Sequence, residues 1–223
     1  MIQKLRLIQN SPFATFDSLP KDNTKPDAVI FDIGNVLITW HPEKLYDTLM
    51  SPDKRRAMFS SVDLHLMNDK IDRGGNWRKT VYSTATAYPE YTDMIRLWHD
   101  RWAEMATPAI TKSWDILRRL RQQGTPVFAL SNFGIETFAF AQTLYPELAE
   151  FDRRFISGHM GVTKPARRIY EMVEAETGLS GAQLFFADDR QENIDTAESM
   201  GWQGHVFTCP ENLEQSLVRL GVL

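Results

Sequence analysis

The amino-acid sequence predicts an α/β fold: a doubly wound parallel sheet with an α-helical segment inserted after its first strand. Three observations carry this expectation. Apolar runs of strand length, rich in Val, Phe and Ile, recur along the chain. Segments with helical periodicity separate them, and strands alternating with helices build a parallel sheet covered on both faces. One long interval, from Trp40 to about Pro108, breaks this rhythm with helical patterns and no convincing strand.

The elements follow in chain order. Residues 1–26 form an N-terminal extension with early Lys4 and Arg6. It lacks the continuous apolar stretch and small-residue cleavage site of a signal peptide. The first strand is Ala28–Phe31, stopping at Asp32 and broken by Ile33-Gly34-Asn35. The inserted interval reads as helical around PEKLYDTLM, NWRKTVYSTATAY and YTDMIRLWHDRWAEM, with a break at Gly74-Gly75. In AITKSWDILRRLRQQG, Ile110, Trp114, Leu117 and Leu120 recur at spacings of three and four, and Gly124 supplies the stop.

The second strand is Pro126–Leu130, and a weaker one is Arg154–Ser157. PARRIYEMVEAETG puts Ile169, Met172 and Val173 on one helical face and ends at Gly178. Leu184–Ala187 is a further strand, RQENIDTAESMGW a helix, His205–Thr208 the last strand and ENLEQSLVRLG the last helix. The expected organisation is a Rossmann-like core over 27–40 and 109–223, with a helical cap over 41–108. Ligands of open α/β sheets bind beyond the carboxyl ends of the strands, where this insertion leaves the core.

Composition narrows the function. A chain of 223 residues with 43% hydrophobic residues can bury one sizeable core. A formal net charge of -4 gives no basic footprint for nucleic acid. A single cysteine, Cys209, excludes an intramolecular disulfide framework and a multi-cysteine zinc site; it reads as a small buried hydrophobe. No run is long enough to span a bilayer. The expectation is a cytoplasmic protein, monomer or homodimer, with a small-molecule ligand and neither nucleic acid nor membrane as partner.

The strand ends carry the chemistry. The first strand ends at Asp32, the second at Ser131-Asn132, and LFFADD at Asp188-Asp189; Lys164 precedes the helix that starts near Pro165. In a doubly wound sheet these positions converge. Three carboxylates in one crevice raise one another's pKa, and burial adds to the effect. A magnesium ion relieves this, because it takes oxygen ligands from one or two carboxylates together with substrate phosphate. Lys164 balances the remaining charge. Such a site suits phosphoryl transfer, with an Asp carboxylate as covalent nucleophile.

The order Asp-x-Gly-Asn-Val, Ser-Asn, Lys-Pro, Asp-Asp resembles the haloacid dehalogenase (HAD) superfamily from about Ala28 to the C-terminus, the helical insertion included. The Asp-x-Gly-Asn-Val form is similar to that of a subgroup of sugar-phosphate phosphatases and relatives named haloacid dehalogenases. The resemblance implies a magnesium-dependent phosphatase acting on a small phosphorylated metabolite through an aspartyl-phosphate on Asp32. It makes Asp32 nucleophile and metal ligand, and gives the metal the Gly34 carbonyl and Asp189. Asp188 orients Lys164 or a metal-bound water, and Asn193 supports the acidic loop. Ser131 and Asn132 bind the phosphoryl group and Lys164 neutralises it. Apart from the resemblance, Asn35 is a candidate substrate contact, and Asp72-Arg73-Gly74-Gly75 reads either as a plain turn or as a substrate-facing loop in which Arg73 meets an anionic group.

The sequence departs from that pattern at one position. Many phosphatases of the superfamily carry a second Asp two residues after the nucleophile, as general acid and base. Gly34 stands there instead, and such a group contributes ~10²–10⁴-fold. His41 and Asp72 are the candidate substitutes. A metal-independent 2-haloacid dehalogenase is the alternative reading. Against it, dehalogenases of the family carry an aromatic residue at the Gly34 position and lack a paired acid such as Asp188-Asp189. A weakly active phosphate-ligand binding protein is the second alternative.

Overall fold

The computed structural model describes residues 24–223. The expected N-terminal extension therefore lies almost wholly outside the described residues. The chain runs β1 (Ala28–Phe31), β2 (Ile38–Trp40), α1 (Pro42–Asp47), α2 (Pro52–Ser61), α3 (Leu64–Asp72), α4 (Trp77–Ala87), α5 (Thr92–Asp100), α6 (Trp102–Met105) and β3 (Ala106–Ala109). It continues with α7 (Thr111–Gln122), β4 (Val127–Ser131), α8 (Ile135–Leu144), β5 (Arg153–Ile156), α9 (Ser157–Met160) and α10 (Arg167–Thr177). Then follow β6 (Leu184–Asp188), α11 (Gln191–Ser199), β7 (Gln203–Val206) and α12 (Pro210–Arg219).

The main sheet is five-stranded and parallel throughout, in the order β5-β4-β1-β6-β7. β1 is central and wholly buried, which is why it reads as an uninterrupted apolar run. Its residues alternate between two cores. Val29 and Phe31 share one with Trp114 and Leu117 of α7 and with Leu213 and Leu217 of α12. Ala28 and Ile30 share the other with Ile169, Tyr170 and Val173 of α10 and with Ile194 of α11. The chain proceeds outward from β1 on one side through β4 and β5, then returns to the other side through β6 and β7. The direction reverses between β1 and β6, so the crevice for a ligand opens at their carboxyl ends.

The structure corrects the expectation of a strand-free interval. β2 and β3 pair antiparallel, Ile38 with Ala109 and Trp40 with Ala106, and form a two-stranded stalk where the helical segment leaves and rejoins the core. Both strands are short, and β3 contains Pro108, which argues against a strand when only the sequence is read. Four helices lie outside the expected helical segments: α2, α3, α8 and the one-turn α9. In α3 the signals are present, with Asp63 capping the Leu66 N–H and Leu64, Met67 and Ile71 forming the buried face. In α8, GIETFAFAQTL is apolar nearly all round and shows no clear periodicity.

The helical segment is fastened to the core along one seam. Glu136, in the first turn of α8, accepts hydrogen bonds from Asn76 Nδ2 and the Trp77 N–H, each at 2.6 Å. Tyr145 Oη donates to the Ala106 carbonyl at 2.6 Å, and the rings of Trp102 and Phe133 lie 5.8 Å apart. Among the described residues no helix is long and apolar enough to cross a membrane.

Candidate active site

The crevice beyond β1 and β6 is a cleft of about 500 Å³. The core lines it with Asp32, Gly34, Asn35, Ser131, Asn132, Lys164, Asp189 and Asn193. The helical segment faces it with Asp63, His65, Asn68, Asp69 and Asp72, and an apolar wall comes from Trp40, Leu66, Trp102 and Phe133.

Asp32 sits one residue past β1. Its backbone N–H still donates to the Ala187 carbonyl of β6 at 2.8 Å, so the sheet itself holds the nucleophile candidate in register. Its Oδ1 accepts from the Ile33 N–H at 2.8 Å and lies 2.9 Å from Lys164 Nζ. The Ser131 hydroxyl, at the end of β4, also hydrogen-bonds it. Burial pushes the Asp32 carboxyl up to about 6. Lys164 opposes that rise, while Asp188 and Asp189 reinforce it.

Lys164 is buried and has all three of its protons committed: to Asp32 Oδ1, to Asp188 Oδ2 at 2.6 Å and to the Leu130 carbonyl at 2.9 Å. Burial alone would lower its pKa, but the two carboxylates outweigh burial and raise it. Its backbone is clasped by Asn132. The Lys164 N–H donates to Asn132 Oδ1 at 2.7 Å, and Asn132 Nδ2 donates to the Lys164 carbonyl at 2.9 Å. Asn132, expected to touch a phosphoryl group, thus holds the lysine in place and also lines the cleft.

The two acids after β6 differ in kind. Asp188 is fully buried and saturated. It accepts from Lys164, from the Arg190 N–H at 2.8 Å, and from Asn193 Nδ2 at 2.9 Å on both oxygens. Asp189 accepts from Asn35 Nδ2 at 2.9 Å and otherwise faces the cleft. Burial raises its pKa, against the Asn35 hydrogen bond. Asn35 adopts φ 55, a left-handed conformation that Asn tolerates, and its Oδ1 accepts from the Trp40 N–H at 2.9 Å. It ties the acidic loop to the stalk.

Oxygens of Asp32, Asp188 and Asp189 all lie within 4.8 Å of one another. An all-oxygen carboxylate set of this kind suits a hard divalent cation such as magnesium. Of the three, Asp32 and Asp189 line the cleft, beside Gly34, whereas Asp188 lies behind it.

Two expected residues stand elsewhere. Arg73 is the exposed C-cap of α3 and does not line the cleft. His41 is exposed and pairs with Glu43 at 3.3 Å, also away from the cleft. The residue of the Asp-Arg-Gly-Gly segment that faces Asp32 is Asp72. Of the two candidate substitutes for the missing acid, His41 and Asp72, it is Asp72 that lines the cleft, in a direction set by α3.

No protein-family model matches the chain. It is similar to the sesquiterpene phosphatase of Aspergillus oryzae, at 26% identity over 203 residues, covering 82% of this chain and 93% of that protein. It also resembles the drimenol cyclase of Aspergillus calidoustus, at 23% identity over 198 residues; the match covers 86% of this chain but 36% of the cyclase. Among solved structures, a predicted HAD-like hydrolase from Porphyromonas gingivalis superposes with a TM-score of 0.64 at 21% identity, covering 88% of this chain and 98% of that one. A HAD family enzyme from Bacteroides thetaiotaomicron, solved with magnesium and inorganic phosphate, gives 0.61 at 19% identity, covering 82% and 95%. The L-2-haloacid dehalogenase of Xanthobacter autotrophicus gives 0.57 at 17% identity, covering 86% and 82%. The chain has the HAD fold. Because phosphate-binding enzymes and dehalogenases share it, the fold alone does not choose the reaction.

Proposed function

We propose that this protein is a magnesium-dependent phosphomonoester hydrolase acting on a small phosphorylated molecule through an aspartyl-phosphate on Asp32. The observation that carries the reading is the buried pairing of Asp32 with Lys164 beside a second, cleft-facing carboxylate, Asp189. A dehalogenase that needs no metal would have no chemical use for the cleft-facing Asp189, whose one hydrogen-bonded side-chain partner is Asn35. The sesquiterpene phosphatase and the magnesium-phosphate complex among the similar proteins support the phosphate reading.

Asp32, Asp189 and the Gly34 carbonyl would hold the ion. Magnesium supplies charge neutralisation of the phosphoryl oxygens when bound. The chain's own residues do the rest. The Ile33 N–H and Lys164 orient the Asp32 carboxylate toward the cleft. Asn132 positions Lys164, and Asn193 positions Asp188, which anchors the ammonium from the other side. The Ser131 hydroxyl, beside Asp32, would hydrogen-bond the transferred group. The helical segment acts as a cap that excludes bulk water and limits the cleft to small esters.

The test is phosphate release from a panel of small phosphomonoesters, with a sesquiterpenyl monophosphate among them, with and without magnesium. Turnover that requires magnesium and vanishes in Asp32→Asn is expected. Metal-independent chloride release from 2-chloropropionate without phosphate release would overturn the reading.

A further inference from the structure

Among the described residues, the core side of the site holds a nucleophile and charge-stabilising groups, and neither Lys164 nor position 34 supplies a proton to a departing alkoxide. Lys164 has every proton committed and its pKa raised. Gly34 has no side chain, and the alkoxide of an alkyl phosphate leaves poorly without a proton. A donor has to reach in from the cap.

Asp72 is the buried acid that does so. It lines the same cleft as Asp32, and its partners are amides rather than cations: Asn68 Nδ2 at 2.8 Å and the Gly134 N–H. Its place is set by unusually close packing of cap on core. Ser157 Oγ donates to the Asp72 carbonyl at 2.6 Å. A Cβ on Gly134 would come within 2.6 Å of Ile71 Cγ2, and one on Gly74 within 2.8 Å of the Gly158 carbonyl oxygen. Glu136 secures the next turn through Asn76 and Trp77. Glycines at 74 and 134 let the end of α3 sit this close to the loop after β4 and to α9.

We propose that Asp72, from the cap, is the general acid and then the general base of the reaction. This rests on the phosphatase reading. An Asp32 oxygen attacks phosphorus, and the bond from phosphorus to the ester oxygen breaks. The electron pair goes to that oxygen, which takes the Asp72 proton and departs as the alcohol. Water then attacks the phosphorus of the aspartyl-phosphate while the Asp72 carboxylate takes one of its protons. The bond from phosphorus to the Asp32 oxygen breaks, releasing inorganic phosphate and restoring both side chains.

The environment of Asp72 suits the task. Burial, then Asp69 on its own helix and Asp32 at the end of β1, push its carboxyl up to about 7, against the Gly134 N–H and Asn68. The loop before α8 and the start of α9 present a backbone N–H and the Ser157 hydroxyl to this segment, not charges. An acid balanced near neutrality can both give and take a proton.

The experiment compares wild type, Asp72→Asn and Asp72→Glu on p-nitrophenyl phosphate and on an alkyl phosphate. p-Nitrophenolate departs without a proton. In Asp72→Asn it should appear in a rapid burst of one equivalent at a rate within ~3-fold of wild type. Turnover should then slow by ~10²-fold or more, with phosphoenzyme accumulating by intact-mass spectrometry. With the alkyl phosphate the first step itself should slow by ~10²-fold or more, and no phosphoenzyme should build up. Asp72→Glu should recover part of the alkyl-ester rate.

Equal losses on both esters, without a burst, would overturn the proposal in favour of a structural role. Wild-type rates on both in Asp72→Asn would overturn it as well. If wild type releases nothing from either ester or from the wider panel, the phosphatase reading falls, and this proposal with it.

Discussion

Lys164 Nζ lies 2.9 Å from Asp32 Oδ1 in a setting where both side chains are buried, and the same nitrogen lies 2.6 Å from Asp188 Oδ2. One ammonium thus compensates two carboxylates. Removing a single partner from a buried ion pair costs about 3–5 kcal/mol, because a charge is left uncompensated. Lys164→Met should lose stability of that order in urea unfolding at neutral pH. The loss should shrink at mildly acidic pH, where a carboxylate takes up a proton instead. An unchanged midpoint would mean that the lysine matters to catalysis alone.

Asp188 and Asp189 are neighbours with opposite commitments, and magnesium should separate them. Asp189→Asn should leave metal-free stability nearly unchanged, since its hydrogen-bonded partner is the Asn35 amide. It should weaken the stabilisation that magnesium confers, which for native-state binding grows as RT ln(1 + [L]/Kd). Asp188→Asn should instead destabilise the metal-free protein by about 1–3 kcal/mol, through the bonds to Lys164, Arg190 and Asn193. Thermal melts with a magnesium series and a chelator control read both effects. Identical behaviour of the two variants would contradict the distinction.

Much of this site was legible in the sequence, for a physical reason. Asp32, Ser131, Lys164 and Asp188-Asp189 stand at strand ends or in the loop before a helix, and the sheet brings strand ends together whatever the details of packing. The roles of Asn132, Arg73 and Asp72 were not so fixed. Asn132 has the composition of a phosphate contact, yet both its polar atoms meet the Lys164 backbone. Arg73 and Asp72 are adjacent, so their directions depend on the phase of α3, a helix whose Asp63 cap and Leu64, Met67 and Ile71 face are short signals among the polar residues of 51–72. The stalk strands were hidden by their length and by Pro108.

Asp72 should leave a signature in stability against pH even without substrate or metal. Its folded value, about 7, lies above the ordinary 3.8. The native state therefore holds the proton through a window in which the unfolded chain has released it. Stability falls as pH rises through that window and levels off above about 7; below about 4 both states are protonated and the penalty is absent. Asp72→Asn should remove this component of the slope. Above neutrality it should gain on the order of a few kcal/mol over wild type, less about 1 kcal/mol for a hydrogen bond that an amide cannot accept. Parallel stability curves for the two proteins across this range would show that Asp72 ionises normally.

The glycine seam should couple stability to activity at one position and not at another. A Cβ at Gly158 would approach the Ile135 nitrogen to 2.7 Å, the Phe133 oxygen to 2.9 Å and the Gly134 carbonyl carbon to 3.0 Å, all backbone atoms that cannot swing aside. Gly158→Ala should cost about 1–3 kcal/mol by overpacking. By displacing the 133–135 loop, whose Gly134 N–H bonds Asp72, it should also move Asp72 relative to Asp32. Gly178 provides the contrast: it caps α10 with φ +72, and its Cβ would meet nothing within 4 Å. Gly178→Ala should cost about 1–2 kcal/mol from the left-handed backbone alone and leave the cleft intact. Two variants of similar stability should therefore differ in alkyl-phosphate turnover, with Gly158→Ala slowed and Gly178→Ala near wild type. Equal activity in both would mean that the cap is not held in place by this seam.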